Sequence, residues 1–265
     1  MSVRVERPAP GVAEIVMDRP AALNAVSTAQ AEALTAACAE VVGDPAVQAV
    51  VLASAVERAF CVGADLKERA AFTGSQLADH RTVSRAGYAA VLELAVPTIA
   101  AVEGYALGGG FELALCCDLV VASESAVFGL PEVSVGLVPG GGGTQLLQRR
   151  VGSSRAADLI LTARHVGVDE AERLGLLNRR VALGTARTEA RALAAEIAGH
   201  SPVALRNAKW ALRHGASLDL PEALAVEDQA WRRTAFSADR AEGIAAFNDR
   251  RPPRWPGPAA PEPRP

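Results

Sequence analysis

Short apolar runs alternate with helical patterns over the first 150 residues, and this alternation restricts the fold more than any other feature of the sequence. Residues 47–53, 97–102 and 119–122 have the length and composition of buried strands. A helix is predicted after Ser27, because Gln30 stands three residues later in a capping-box pattern. Strands that alternate with helices in this way favour an α/β fold.

Both ends of the chain depart from this alternation. Apolar residues alternate over 3–5 and 12–16 around a turn rich in proline, which predicts an antiparallel hairpin. After residue 152 strand patterns nearly vanish, and six segments suit helices: 153–163, 169–175, 187–199, 202–214, 221–235 and 238–250. From Pro252 onward seven prolines fall in fourteen residues, which predicts a loose tail.

Charge and composition argue against several classes of protein. The net charge of -3 provides no basic surface for nucleic acid or an anionic membrane. Charges at the start oppose a signal peptide, and acidic residues within 97–122 oppose a membrane span. The four cysteines lack the spacing of a zinc or disulfide site. We therefore expect a soluble cytoplasmic protein without a metal, and we expect the histidines at surfaces or interfaces; they are His80, His165, His200 and His214.

Three glycines, Gly108 to Gly110, precede an apolar helical stretch that contains Glu112. Glycine lets a ligand approach the backbone closely, and the first amides of a helix have no partner within it. Such a helix start can stabilise an oxygen that gains negative charge. Close packing of a helix on a strand would explain these glycines equally well.

A second turn follows the strand predicted at 47–53. Asp65, with Glu68 three residues later, marks a helix start, and Gly63 allows a sharp turn before it. The Ala64 amide would then be free to donate a hydrogen bond. From this segment alone, an ordinary strand–loop–helix junction is the more probable interpretation.

A third motif sets a carboxylate beside a rigid turn. Pro131 fixes the backbone before Glu132, and the glycine run from Gly140 precedes a helix predicted over 144–151. In isolation, Glu132 is better explained as a solvated charge at a strand end. None of the glycine clusters completes a phosphate loop, a dinucleotide fingerprint or a nucleophile elbow.

Together, in their order and spacing, these motifs resemble the crotonase, or enoyl-CoA hydratase/isomerase, superfamily. The resemblance runs from Asp18-Arg19-Pro20 with Leu23-Asn24-Ala25 to Glu242-Gly243, and 61–69 and 251–254 look like the methylglutaconyl-CoA hydratase branch. It implies an α/β crotonase (ClpP-like) spiral of ββα turns over 1–200. A C-terminal helical region for oligomerisation at 201–251 and the Pro-rich tail at 252–265 would follow.

The resemblance also implies roles for individual residues. The amides of Ala64 and Gly109 would form an oxyanion hole for the thioester carbonyl of an acyl-CoA substrate, and Glu112 and Glu132 would be the catalytic carboxylates. Residues implied to bind the substrate and its coenzyme A are Ala22, Cys61, Gly63, Asp65, Leu66, Lys67, Gly108, Pro131 and Gly140. Coenzyme A belongs to the substrate, so no separate cofactor is expected, and a homotrimer or a dimer of trimers is implied.

The implied activity is addition of water to an enoyl-CoA, with 3-methylglutaconyl-CoA as one specific substrate. Δ3-Δ2-enoyl-CoA isomerisation is the alternative, although isomerase branches generally keep one carboxylate at a different place. One branch of the family binds RNA through lysines on an early helix, but 29–42 has no lysine or arginine here. A family basic residue just before Leu23 is also replaced, by Ala21 and Ala22, so phosphate contacts from that position are not expected, and Arg250, Arg251 or Lys67 would have to supply them.

Overall fold

A computed structural model describes residues 2–257, which form ten strands and eleven α-helices. The strands are β1 Val3–Ala9, β2 Val12–Met17, β3 Ala49–Ser54, β4 Ala59–Cys61, β5 Thr98–Val102, β6 Tyr105–Leu107, β7 Leu119–Ser123, β8 Val127–Gly129, β9 His165–Gly167 and β10 Arg179–Val181. The helices are α1 Thr28–Val42, α2 Leu66–Ala70, α3 Gly74–Leu92, α4 Gly109–Cys116, α5 Gly143–Val151, α6 Ser153–Leu161, α7 Val168–Arg173, α8 Ala186–Ala198, α9 Pro202–Gly215, α10 Leu220–Ala235 and α11 Ala238–Asp249. Short 3-10 helices cover Pro20–Ala22 and Pro131–Val135.

The strands form two sheets. The larger has the order β1-β2-β3-β5-β7-β10, in which β1 and β2 make the predicted antiparallel hairpin and the later pairs are parallel. The smaller has the order β4-β6-β8-β9, with only β9 antiparallel to its neighbour. Parallel pairing requires crossovers, and the helices between the strands supply them.

One unit of structure repeats along the chain: a strand of the large sheet, a three-residue strand of the small sheet and then a helix. The units are β3-β4-α2, β5-β6-α4 and β7-β8 with the 3-10 helix at Pro131–Val135. In the small sheet Cys61 pairs with Ala106, and Leu107 pairs with Gly129. Because these paired strands end side by side, the turns that follow them converge on one region of the molecule.

Small aliphatic side chains pack most of the core, as the low aromatic content requires. Three aromatic residues of the small sheet and α4, Phe60, Phe111 and Phe128, are fully buried, and the rings of Phe111 and Phe128 lie 5.2 Å apart. A second, smaller cluster packs α8 against the other face of the large sheet. Burying aliphatic surface on both faces explains why these strands are almost continuously apolar.

Asn24 joins the loop after β2 to the region of the turns. Its φ of 59° is left-handed, a conformation that asparagine tolerates better than most residues. The side-chain carbonyl accepts from the Arg19 amide at 2.8 Å, and the side-chain amide donates to Ser54 Oγ at 2.8 Å and to the Phe60 carbonyl at 3.0 Å. The loop that includes Ala22 is thereby attached to the ends of β3 and β4.

The structure confirms the main sequence predictions of secondary structure and changes some details. All six predicted C-terminal helices form, with ends shifted by a few residues. Ser27 caps α1 by accepting from the Gln30 amide at 3.2 Å, but the reciprocal bond of a capping box is absent, since neither polar atom of the buried Gln30 side chain has a partner among residues 2–257. The three-residue strands of the small sheet were not predicted, because three residues are too few to show a period.

The start of the predicted tail is held by hydrogen bonds. The Arg254 amide donates to Glu242 at 2.6 Å, Trp255 Nε1 donates to the Gly199 carbonyl at 2.8 Å, and the Gly257 amide donates to Asp239 at 2.8 Å. Residues 258–265, the rest of that prediction, lie outside the described range. Across residues 2–257 no helix is both long and apolar enough to span a membrane.

Candidate active site

The turn between β4 and α2 presents the Ala64 amide at the start of a helix. Asp65 caps α2 by accepting from the Glu68 amide at 3.1 Å, and Arg19 pairs with the same carboxylate at 2.7 Å. Gly63 has a φ of 94°, a left-handed conformation that side chains rarely adopt. Its carbonyl accepts from the Val26 amide at 2.7 Å. These contacts fix the turn, and no described residue accepts a hydrogen bond from the Ala64 amide.

The turn between β6 and α4 is built in the same way. Gly108, with a φ of 50°, precedes α4, and its amide donates to the Gly129 carbonyl at 2.8 Å. Gly109 is the first residue of α4, so its amide has no acceptor within the helix. Within residues 2–257 that amide has no hydrogen-bond acceptor.

The two turns touch through backbone atoms alone. A Cβ added to Gly63 would lie 2.9 Å from the Leu107 carbonyl oxygen and 3.1 Å from the Gly109 nitrogen. Distances this short exclude any side chain at position 63, whatever its chemistry. The missing side chain of Gly63 therefore lets the Gly109 nitrogen lie close to the turn that carries the Ala64 amide, and each of the two amides is free to donate a hydrogen bond.

Glu112 lies one turn into α4, buried and held by amides. Its Oε1 accepts from the Gly141 and Gly143 amides, both at 2.7 Å. Burial raises the pKa of this carboxyl, while the amides and the charge of Arg81 act against the rise. One oxygen is thus fixed by the glycine run, and the other is free to contact a bound molecule.

Glu132 follows β8 at the start of the 3-10 helix and lies beside Gly108. A Cβ added to Gly108 would be 3.0 Å from Glu132 Oε1, and Oε2 is buried without a hydrogen-bond partner among the described residues. Burial raises the pKa of Glu132 to about 7, and the negative charge of Glu112 adds to the rise. Near neutral pH a substantial fraction of Glu132 therefore carries a proton, as is needed for an acid.

These groups surround a cavity of about 620 Å³ between α3 and the loop after β8. Its apolar lining includes Leu66, Leu77, Val135, Leu137 and Val138. Its polar lining combines both glutamates with two arginines, Arg69 and Arg81. An apolar cavity with a few convergent polar groups is typical of a small-molecule site. Among residues 2–257 no cluster of three or more His, Cys, Asp or Glu could hold a metal ion.

Most of the residues singled out in the sequence line this cavity: Gly63, Ala64, Leu66, Gly108, Gly109, Glu112, Pro131, Glu132 and Gly140. The structure does not bring Ala22, Cys61, Asp65 or Lys67 into the lining. Cys61 is buried and its thiol donates to the Asn24 carbonyl, while the Asp65 carboxylate is occupied by Arg19 and by the start of α2. These two side chains therefore hold the turn between β4 and α2 in place.

Sequence inspection missed four polar side chains of α3 that line the cavity: Arg81, and three that are spaced four residues apart, His80, Ser84 and Tyr88. The expectation that the histidines lie at surfaces is wrong for His80, which is 3% exposed. Its Nε2 accepts from Arg69 at 3.2 Å, and its Nδ1 bonds to Thr28 Oγ1 at 2.9 Å. The spacing of four residues could have revealed them, because it puts His80, Ser84 and Tyr88 on one face of a helix.

Comparison with known proteins identifies the family. The family model described as enoyl-CoA hydratase/isomerase matches residues 7–258. The chain belongs to the enoyl-CoA hydratase/isomerase family. The crotonase superfamily that the sequence resembled is therefore confirmed, together with its α/β fold and its C-terminal helices.

Several members of the family are similar over nearly the whole chain. A probable mitochondrial enoyl-CoA hydratase 2 of Arabidopsis thaliana is 39% identical over 247 residues, or 93% of this chain and 82% of that protein. The mouse mitochondrial methylglutaconyl-CoA hydratase is 39% identical over 251 residues, or 93% and 80%. The crystal structure of an enoyl-CoA hydratase from Bacillus anthracis superimposes with a TM-score of 0.94 at 38% identity, covering 97% of this chain and all of that one.

The raised pKa of Glu132 predicts a pH dependence of stability. Between its usual value of 4.5 and about 7, folded Glu132 keeps a proton that the unfolded chain has lost. The folded state binds more protons in this window, so this residue lowers stability as the pH rises through it. Glu132→Gln removes that effect. Its free energy of unfolding relative to wild type should be higher at about pH 8 than at about pH 5, by about 1–2 kcal/mol after discounting for partial exposure.

Urea unfolding at the two pH values measures this difference. Glu32→Gln, a change at an exposed glutamate of α1, is the control and should show no pH-dependent gain. Equal stability increments for Glu132→Gln at both pH values would contradict the raised pKa.

Proposed function

We propose that this chain adds water across the 2,3 double bond of an enoyl-CoA thioester. The observation that carries the proposal is the joint presence, in one cavity, of two amides without acceptors and two carboxylates in different environments, the buried Glu112 and the half-buried Glu132. Hydration needs both pairs, since an enolate oxygen must be stabilised while one proton leaves water and another reaches carbon. The family and the names of its similar members support the same class of reaction.

In the proposed complex the thioester oxygen accepts hydrogen bonds from the Ala64 and Gly109 amides. When oxygen adds to C3 of a conjugated thioester, negative charge moves to that carbonyl oxygen. Amides that are already oriented stabilise the charge without reorganisation, and losing one such donor typically costs about 10²–10³ in rate. Gly63 contributes by its missing side chain, which allows the two amides to be neighbours.

The two glutamates divide the proton transfers. Glu112, whose Oε1 is held by the glycine amides, orients the water with its other oxygen and takes a proton from it. The hydroxyl group that remains bonds to C3. Glu132, partly protonated near neutral pH, gives its proton to C2 of the enolate. After the reaction Glu112 carries the proton from water and Glu132 has lost its own. Transfer of a proton from Glu112 to Glu132 through solvent restores the starting state.

Replacing either carboxylate tests this mechanism. Glu112→Gln and Glu132→Gln should each lower kcat with crotonyl-CoA by about 10²–10⁴, because each removes a positioned acid or base. Loss of absorbance of the conjugated thioester measures the rate. Glu32→Gln should keep wild-type activity. Wild-type turnover in both active-site variants would exclude the assigned roles, and bond migration without hydration in the wild type would favour the isomerase alternative.

Two cations in the cavity favour an acyl group that ends in a carboxylate. Neither Arg69 nor Arg81 forms an ion pair with a carboxylate of residues 2–257. The Arg81 guanidinium lies against Gly140, where an added Cβ would be 2.9 Å from one of its nitrogens. The acyl group of 3-methylglutaconyl-CoA carries a free carboxylate at the end opposite the thioester. The mouse methylglutaconyl-CoA hydratase, 39% identical, supports this substrate as the specific candidate.

Arg81→Gln tests the choice of substrate. The variant should raise KM for 3-methylglutaconyl-CoA by about tenfold, because a charge-assisted hydrogen bond is lost. KM for crotonyl-CoA, which has no second carboxylate, should stay unchanged. Arg85→Gln is the matched control, an exposed arginine of the same helix outside the cavity lining. An equal rise in KM for both substrates would contradict recognition of a distal carboxylate.

We also propose that the chain forms a homotrimer or a dimer of trimers. The C-terminal helices support an assembly, because they leave large apolar side chains uncovered in the single chain: Leu212, Leu220, Trp231, Phe236 and Phe247 are 63–84% exposed. Light scattering should give three or six times the mass of one chain. A monomer at micromolar concentration would exclude both assemblies.

A further inference from the structure

Tyr88 of α3 places its hydroxyl beside Gly109, one of the two residues whose amides are proposed to bind the thioester oxygen. A Cβ added to Gly109 would lie 2.1 Å from the Tyr88 hydroxyl oxygen and 3.5 Å from Gly63 Cα. The hydroxyl is therefore close to Gly109 Cα and on the side of Gly109 that faces the other turn. No other hydroxyl group is that close to Gly109 in the described part of the chain.

The packing of the ring fixes the position of the hydroxyl. Tyr88 is 7% exposed, and its ring lies over Gly141, where an added Cβ would be 2.7 Å from two ring carbons. Gly141 is also the residue whose amide holds Glu112. The ring is thus confined between α4 and the glycine run, and it has no room to move the hydroxyl away from Gly109.

The hydroxyl has no structural hydrogen bond to explain it. Tyr88 lines the cavity, and its hydroxyl forms no hydrogen bond with a residue of 2–257. Burial, with the nearby charge of Glu112, raises its pKa well above the usual value, so the group stays protonated and able to donate. The hydroxyl borders the cavity, where a bound molecule can accept its hydrogen bond, and packing alone would be satisfied by phenylalanine.

We propose that the Tyr88 hydroxyl donates a third hydrogen bond to the thioester oxygen, beside the amides of Ala64 and Gly109. The inference rests on the proposed function, because it takes the ligand to be an acyl-CoA thioester. The bound thioester oxygen would accept the phenol proton, which no described residue accepts. Its contribution grows as the carbonyl becomes an enolate, since a donor to a charged oxygen is stronger than a donor to a neutral one.

Tyr88→Phe tests the proposal with little change in shape. With crotonyl-CoA the variant should lose about 10- to 100-fold in kcat, in the range expected when one donor leaves an oxyanion hole, with KM much less affected. The chain has two tyrosines, and Tyr105→Phe is the matched control, since Tyr105 is 42% exposed and outside the cavity lining. That control should keep wild-type kinetics. Thermal unfolding of both variants would verify that each is folded.

Absorbance of bound 4-dimethylaminocinnamoyl-CoA provides a second readout, one that a purely structural role would not move. Polarisation of its carbonyl by hydrogen bonds shifts the absorbance to longer wavelength, so Tyr88→Phe should bind the probe with a smaller red shift than wild type or Tyr105→Phe. An unchanged red shift would overturn the proposal, even if turnover fell, because the hydroxyl would then act elsewhere. Turnover equal to wild type would overturn it as well.

The two readouts separate this inference from the proposed function. If the wild type hydrates the substrate and Tyr88→Phe behaves like it, only the role of Tyr88 is wrong. If the wild type binds the probe without hydrating any enoyl-CoA, hydration is wrong, and the red shift still decides whether Tyr88 is a donor.

Discussion

The contact between the Gly63 and Gly109 backbones is the constraint on which the site depends. Each glycine begins or precedes a helix that follows a short strand, and a Cβ on Gly63 would press on the Leu107 carbonyl and the Gly109 nitrogen and push the two turns apart. The small sheet aligns the ends of β4, β6 and β8, so this contact is a consequence of strand pairing. Without that pairing the chain would have two ordinary helix starts. With it, two amides without acceptors lie side by side.

The same convergence of turns gives the two glutamates different chemistry. Glu112 is buried on α4 but receives two amides from the glycine run before α5, which stabilise its charge. Glu132 is less deeply buried, yet one of its oxygens has no partner in the described structure, and the charge of Glu112 opposes its ionisation. Two glutamates in one cavity can therefore act as base and acid, because their environments shift their pKa values differently.

Several parts of the fold and site were accessible to sequence analysis for identifiable reasons. The hairpin, the α/β alternation and the six C-terminal helices follow from hydrophobic periodicity and from the signals at helix ends. Gly63, Gly108 and Glu112 stand in local motifs, and their order along the chain indicated the family. The cavity face of α3 was not found, because His80, Ser84 and Tyr88 are unremarkable one at a time and only their helical spacing joins them. Cys61 and Asp65 differ from these residues, since their side chains hold the turn in place and neither lines the cavity.

By itself, the sequence determined which segments become strands and helices and where the helices start, because these properties depend on neighbours within a few positions. It also determined which turn positions are glycines. Tertiary structure alone decided that the Gly109 amide faces the turn before Ala64, that Gly141 and Gly143 hold Glu112, and that Tyr88 comes to Gly109. Those contacts join residues more than twenty positions apart. Their geometry comes from strand register and from the packing of α3 on α4, which local patterns in a single sequence do not encode.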